Sequence, residues 1–204
     1  MKKLLVIFLF IFLAGVTISA RADQTVIGKG SAEWFNSFSK SFIQTQYVLR
    51  YDGKEKRTWL YFNDGGLTNQ ICVIINDEHR LKLMGYLDKY QEWRKKAIKE
   101  GVKLEKEIGR FSSWCQWEIN NDWQGGPLNV NAADVTASFF SQNKKVHQFL
   151  LEFPSYGYPV SEHPETLYFS SAQAQTLAKQ LLDENIQKSL AKATKSKKVE
   201  EEFK

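Results

Sequence analysis

Residues 77–99 constrain the fold of this chain more than any other segment. Their apolar members recur at spacings of three, four and seven, which places them in one stripe of a 3.6-residue turn: Leu83, Met84, Leu87, Tyr90, Ala97 and Ile98. Charged residues fill most of the remaining angles. The pattern therefore predicts a long amphipathic helix with one face to bury. Asp77 is its predicted N-cap, and Gly101 is the predicted stop.

Runs rich in β-branched and aromatic residues flank this helix on both sides. Asp52 and Gly53 separate two such runs, and because Asp-Gly tolerates positive φ, they predict a β-hairpin. A second hairpin is predicted about Asn143 and Lys144. At 103–108 a strand is favoured over continued helix, since apolar residues alternate with charged ones. The predicted strands are 46–51, 57–63, 70–75, 103–108, 111–119, 135–142, 145–153 and 166–169.

Two further helices are predicted outside this central region. Ser170 and Gln173 have the spacing of a capping box, and an apolar stripe follows them: Ala174, Leu177, Ala178, Leu181 and Leu182. Near the start of the chain the spacing of four aromatic residues fits one face of a short helix: Trp34, Phe35, Phe38 and Phe42. An aromatic binding surface is the alternative interpretation of these four residues.

These elements predict an α+β fold, with a mainly antiparallel sheet of about six to eight strands and two amphipathic helices packed on one face. Three parts of the chain are predicted: a signal peptide at 1–22, a single globular α+β domain at 23–187 and a charged, disordered tail at 188–204. No internal repeat is convincing. The strands that end before Asp77 and Ser171 nevertheless resemble each other, because both lead into a capped helix.

The first residues have the form of an export signal. Lys2 and Lys3 precede an apolar run, and Ala20 and Ala22 give a small-x-small cleavage site before Asp23. An uncleaved membrane anchor is the alternative, although the run at 4–18 is shorter than the roughly 20 residues that span a bilayer. We therefore expect a periplasmic or secreted protein that is cleaved near Ala22 and is not anchored in the membrane.

Cys72 and Cys115 are the two cysteines of the chain, and both lie in predicted strands. Because an exported protein meets an oxidising compartment, a disulfide between them is the expectation. Two separately buried thiols are the alternative. Two cysteines without nearby histidines do not make a zinc site, so no metal is predicted.

The formal net charge of +5 is not carried by the predicted domain. The signal contributes +3 through Lys2, Lys3 and Arg21, and the tail from Lys188 contributes a further +3, which leaves residues 23–187 at −1. Non-specific nucleic-acid binding depends on a strongly basic surface. The sequence therefore argues against a nucleic-acid partner.

Catalytic arrangements are not evident in the sequence. A serine or cysteine nucleophile needs a base within reach, and the available histidines are His79, His147 and His163. None of the three lies in a known catalytic or metal-binding motif, and the sequence has no Gly-rich phosphate loop. The sequence thus favours a non-enzymatic protein without a cofactor, although it leaves the question of enzyme activity open.

Aromatic residues in two predicted rim segments are the strongest candidates for a binding site. The first segment holds Trp114, Trp117, Asp122 and Trp123, and the second, rich in proline, holds Tyr156, Tyr158 and His163. Indole faces beside amide and carboxylate groups suit either a protein partner or the face of a sugar. The alternative is that Trp117 is an ordinary core residue and Trp123 caps the sheet.

Two classes of function are consistent with these residues. The first is an exported, non-enzymatic binding module of the inhibitor, immunity or accessory type, which uses the aromatic loops to contact another protein. The second is a protein that binds envelope glycan, or hydrolyses it with Asp122 or Glu118. The predicted binding residues are Trp114, Asp122, Trp123, Tyr156, Tyr158 and His163.

Overall fold

The computed structural model of the protein describes residues 24–36, 41–62, 70–119, 122–125, 133–153 and 165–203. The strands of this part of the chain are β1 (Gln24–Asn36), β2 (Ser41–Asp52), β3 (Arg57–Phe62), β4 (Gln70–Asn76), β5 (Leu104–Ile119), β6 (Asp122–Gly125), β7 (Ala133–Ser141), β8 (His147–Phe153) and β9 (Glu165–Ser170). Its helices are α1 (Asp77–Glu100), α2 (Ser171–Gln180) and α3 (Asp183–Glu202).

The strands form one antiparallel sheet that closes on itself. Their spatial order is β4-β3-β2-β1-β9-β8-β7-β5-β6, and an additional pairing between β4 and β5 completes a ring of eight strands. The short β6 pairs with the last residues of β5. The predicted α+β class with a mainly antiparallel sheet is therefore confirmed. The described residues contain three helices rather than the two amphipathic helices predicted to pack on the sheet, because a separate helix, α3, follows α2.

The ring consists of two halves that each end in a capped helix. Strands β1–β4 lead into α1, and strands β5–β9 lead into α2, while the first strand of each half pairs with the last strand of the other. Both helix starts are capped by the residue that ends the preceding strand. The Asn76 side chain accepts a hydrogen bond from the His79 backbone N–H, and Ser170 does the same for Gln173.

The main hydrophobic core lies on the inner face of the ring and extends to the helices. Phe62 of β3 and Phe153 of β8 stand on opposite sides of the ring, yet their ring centroids are 5.0 Å apart. Tyr90 of α1 packs against Phe139 and Phe149 with centroid distances of 5.8 and 5.7 Å. Side chains therefore fill the interior, and α1 and α2 bury most of their apolar stripes in this one core.

Helix α1 has the predicted extent, with one difference at its start. Asn76 rather than Asp77 is the N-cap, since its side chain makes the capping bond, and Asp77 occupies the first helical turn. Gly101 ends the helix at φ 69°, a left-handed conformation that glycine adopts without strain. Among the described residues, no helix is long and apolar enough to cross a bilayer.

Trp34, Phe35 and Phe42 lie in strands, so the short helix predicted near the start of the chain is wrong. Phe38, the fourth residue of that prediction, lies outside the described residues. Trp34 points into the core and donates its indole N–H to Glu165 at 2.6 Å. Phe35 and Phe42 are cross-strand partners on the outer face, where their rings contact each other at 5.3 Å. The spacing that resembles a helix therefore comes from residues of two paired strands. Trp34 faces the core, whereas Phe35 and Phe42 face the outside of the sheet.

Two other segments differ from the sequence-based expectation. Strand β5 is continuous through Gly109, where the prediction placed a turn between two strands; the ladder shifts register there, as at a β-bulge. Residues 188–202, which fall in the segment predicted to be disordered, belong to α3. The first turns of α3 pack on the core through Ile186, and Asn185 donates to the Ile27 carbonyl at 2.8 Å.

The predicted disulfide is wrong, because the two cysteines are buried on opposite faces of the sheet. Val73 of β4 pairs with Cys115 of β5, so Cys72 lies one residue out of register and its side chain projects to the other side. Cys115 belongs to the inner core, while Cys72 belongs to a separate cluster on the outer face. Burial raises the pKa of the Cys115 thiol to about 12, which disfavours the reactive thiolate.

Arg80 of α1 joins all three helices. The side chain is buried, and its guanidinium donates to the Leu181 carbonyl at 2.6 Å, to Asp183 at 2.6 Å and to Asp77 at 3.0 Å. Leu181 follows α2 and Asp183 begins α3. One side chain therefore fixes the junction between the last two helices onto α1.

Candidate functional site: an aromatic face on the outer side of the sheet

A second hydrophobic cluster lies on the outer side of strands β2–β6. Residues along a strand alternate between the two faces, so the even positions of β2 and β4 and the odd positions of β3 all project outward here. We call the resulting surface the aromatic face and define it by Arg50, Arg57, Trp59, Tyr61, Trp114 and Trp123. Beneath and beside these residues lie Val48, Cys72 and Ile74.

The strand register brings the aromatic face together. Arg50 of β2 pairs with Trp59 of β3, Trp59 pairs with Ile74 of β4, and Ile74 pairs with Trp114 of β5. Four strands thus contribute one row of side chains across the sheet. Cross-strand neighbours of this kind have Cβ atoms roughly 4.5–5.5 Å apart, which is close enough for direct packing.

The rings of the aromatic face contact one another in defined geometries. Trp59 and Tyr61 are nearly parallel, with an interplanar angle of 9° and centroids 6.4 Å apart. Trp123 of β6 meets Tyr61 edge to face at 5.9 Å and 79°. Aromatic pairs contribute about 0.5–1.5 kcal/mol beyond the area they bury, so these contacts hold the side chains in place.

Two arginines lie over the rings. The guanidinium carbon of Arg50 is 5.6 Å from the Tyr61 centroid, and that of Arg57 is 5.6 Å from the Trp114 centroid. Arg57 also donates to Glu55 at 2.8 Å, where both partners are partly exposed. Cation–π contacts of this kind attract the guanidinium group to the face of the ring. The aromatic face is therefore both apolar and positively charged.

A small cavity of about 110 Å³ adjoins the aromatic face beside Trp114. Arg57 and Trp114 form part of its wall, and His79 of α1 forms another part. The imidazole stacks on Phe111 with centroids 5.0 Å apart, and burial together with nearby Lys82 lowers the pKa of His79. The cavity therefore combines a permanent cation with an imidazole that favours its neutral form.

Only part of the predicted binding set falls within the described residues. Trp114 and Trp123 both belong to the aromatic face, as members of the sheet rather than of loops. The backbone of Asp122, the first residue of β6, pairs with that of Ile119, the last residue of β5. Three predicted residues lie outside the described part of the chain: Tyr156, Tyr158 and His163.

Sequence reasoning missed the larger share of the aromatic face. Trp59, Tyr61, Arg50 and Arg57 lie in the first predicted hairpin, where the sequence pattern indicates strands but no binding site. The signal was present in the alternation at 57, 59 and 61, which gives one face of β3 three long side chains. Pairing of that face with Trp114 could not be read from the sequence, since it depends on closure of the ring.

The remaining described histidine has a structural role. The His147 ring is buried, with Nδ1 3.1 Å from the Ser141 hydroxyl oxygen and Nε2 3.2 Å from the Lys144 carbonyl oxygen. These contacts fix the turn that joins β7 to β8. His147 packs beside Phe139 in the interior, away from the aromatic face.

Comparisons of the chain with family models, with curated proteins and with solved structures give no significant match.

Proposed function

We propose that this protein is an exported envelope protein that binds a protein partner through the aromatic face. The observation that carries this proposal is the row of tryptophan and tyrosine rings on the outer side of a closed sheet, flanked by Arg50 and Arg57. Tryptophan, tyrosine and arginine are the residues that most often dominate the energy of protein interfaces. A binding module of the inhibitor, immunity or accessory type fits this composition.

The rigidity of the aromatic face supports the same function. Trp59, Tyr61 and Trp114 are half-buried or buried side chains that project from paired strands and contact their neighbours. Side chains that are already ordered lose little conformational entropy when a partner binds. The partner would gain contacts with large rings at low entropic cost, which is the property of an interface anchor.

A glycan ligand is the second candidate. It is favoured by the half-buried indoles of Trp59, Trp114 and Trp123, because sugar rings stack on flat aromatic surfaces. Glu118 pairs with Trp123 in the ladder between β5 and β6, so a carboxylate-bearing residue stands beside the indole. Such a carboxylate would accept hydrogen bonds from sugar hydroxyl groups.

Site-specific photo-cross-linking in cells tests the proposal. Benzoylphenylalanine replaces Trp114 in one variant and, as the matched control, Trp93 in another, since Trp93 is a half-buried tryptophan of α1 outside the aromatic face. We expect a discrete protein adduct from position 114 that is absent from position 93 and that weakens when Arg57→Ala is added. Equal adducts from both positions would contradict the proposal.

The two ligand classes and the export step have separate readouts. Titration of the purified protein with soluble envelope oligosaccharides, followed by tryptophan fluorescence, reports glycan binding; saturation in the wild type and loss in Trp59→Ala favour the second candidate.

Cell fractionation and N-terminal sequencing report export. We expect the purified protein to begin at Asp23, as the predicted cleavage site requires.

A further inference from the structure

A larger cavity, of about 280 Å³, lies between the last turns of α1 and the start of β5. We call it the Trp93 pocket. Its apolar wall consists of Trp93, Ala97, Val102, Leu104 and Phe139. Its remaining lining residues are charged, namely Lys96, Glu100 and Lys106. None of these residues belongs to the aromatic face.

The walls of the Trp93 pocket are fixed by contacts within the fold. The Trp93 ring meets Phe139 edge to face, with centroids 6.0 Å apart and planes at 87°, and Phe139 is fully buried. Ser141 donates to the Val102 carbonyl at 2.7 Å, which holds the connection between α1 and β5. These contacts hold the Trp93 and Val102 walls of the cavity in place, as is usual for the walls of a ligand pocket.

Positive charge surrounds the Trp93 pocket. The Nζ atoms of Lys89 and Lys106 lie 5.0 and 5.2 Å from the Trp93 ring centroid. Lys89 also donates to the Ile108 carbonyl at 3.3 Å, whereas Lys96 and Lys106 form no salt bridge with another described residue. Glu100 is the one acidic lining residue. Two lysines are thus available to a ligand that reaches the rim.

We propose that the Trp93 pocket binds a small amphipathic organic anion, a monocarboxylate with an acyl or aryl body. The apolar body would pack against Trp93 and Phe139, and the carboxylate would accept hydrogen bonds from Lys96 and Lys106. A cavity of roughly 150 Å³ accommodates benzene, so this one suits a ligand of about ten to twelve non-hydrogen atoms. The site is independent of the function proposed for the aromatic face.

Calorimetric titration with octanoate and octanamide tests the proposal. The two probes have the same length and the same number of non-hydrogen atoms, and they differ in charge. We expect octanoate to bind with a Kd of roughly 0.1–1 mM, as small ligands of this size do, and octanamide to bind about tenfold more weakly. The indole N–H signal of Trp93, assigned in NMR spectra with Trp93→Phe, should shift with octanoate.

Matched variants test which residues of the Trp93 pocket contribute to octanoate binding. Lys96→Gln combined with Lys106→Gln should weaken octanoate binding about tenfold and leave octanamide binding unchanged. Lys82→Gln is the control, because Lys82 is an exposed lysine on the first turns of the same helix and pairs with Glu78. Val102→Trp should fill the cavity and abolish binding of both probes; since Val102 is 38% exposed, the fold should tolerate the larger side chain.

Three results would overturn the proposal. The first is absence of binding at several millimolar octanoate, and the second is equal affinity for octanoate and octanamide. The third is an equal loss of affinity in Lys82→Gln, which would show that octanoate responds to overall charge rather than to the Trp93 pocket.

Discussion

Replacing Arg80 by alanine removes the side chain that joins the three helices. Arg80 is 4% exposed and its guanidinium bonds to one buried carbonyl and two carboxylates. The three hydrogen-bond partners of Arg80 differ in their access to water after the substitution. Leu181 is fully buried, so its carbonyl loses its guanidinium donor away from bulk water, whereas the Asp183 side chain is 77% exposed and that of Asp77 is 35% exposed.

The cost of Arg80→Ala can be worked out from these differences. A buried acceptor left without its donor costs about 1–3 kcal/mol. The two aspartates are solvated by water once the guanidinium is gone, and exposed pairs contribute little. Loss of the buried aliphatic stem adds about 1 kcal/mol. We therefore expect Arg80→Ala to lower the free energy of unfolding by about 2–4 kcal/mol, and Arg80→Met, which keeps the stem, by about 1–3 kcal/mol.

Urea denaturation followed by far-UV circular dichroism measures this change. Arg110→Ala is the matched control, because Arg110 forms an exposed pair with Glu107 on β5 and should unfold at the same urea concentration as the wild type. If Arg80→Ala behaved like this control, the assignment of Arg80 as the junction of the helices would be refuted.

Three further predictions concern the sheet. Burial, together with two carboxylates of β5, raises the pKa of Glu152, so ionisation of Glu152 opposes folding. Glu152→Gln should therefore raise Tm at neutral pH. The gain should vanish as the pH falls below about 4.5, where the carboxyl is protonated in both the folded and the unfolded state. Cys72 and Cys115 should not react with a thiol reagent in the folded protein, and both should react after denaturation without reductant, whereas a disulfide would give no reactive thiol. Gly30→Ala should cost about 1–3 kcal/mol in urea denaturation, because the new Cβ would lie 2.5 Å from the buried Tyr47 ring; unchanged stability would show that the ring can move.

Local patterns predicted the parts of the fold that depend on local contacts. The 3.6-residue period of 77–99 predicts α1 because most of its stripe residues face one core, although Ile98 is 39% exposed, and Gly101 ends that helix for a local conformational reason. The two hairpins were also predicted from local turn residues, although Lys56 rather than Gly53 has the positive φ in the first turn. Aromatic residues at 34–42 led to a wrong prediction because their helical spacing spans the end of one strand and the start of the next.

The features of the fold that the sequence did not predict depend on pairing between strands that are far apart in the chain. Closure of the ring pairs β1 with β9 and β4 with β5, and no local pattern encodes either contact. The aromatic face depends on that closure, since Trp114 joins Trp59 only across β4. The cysteines show the same limit: their strands are neighbours, yet a register offset of one residue places the two thiols on opposite faces.

Binding of a protein partner to the aromatic face can be measured once cross-linking has identified that partner. The quantity to compare is the affinity of the purified partner for the wild type and for Arg57→Ala combined with Trp114→Ala. The matched control is Arg110→Ala combined with Trp93→Ala, and circular dichroism verifies that every variant is folded. We predict that the first double variant loses at least about 2 kcal/mol of binding free energy, about thirtyfold in Kd, while the control binds like the wild type. Equal affinities for the two double variants would contradict binding through the aromatic face.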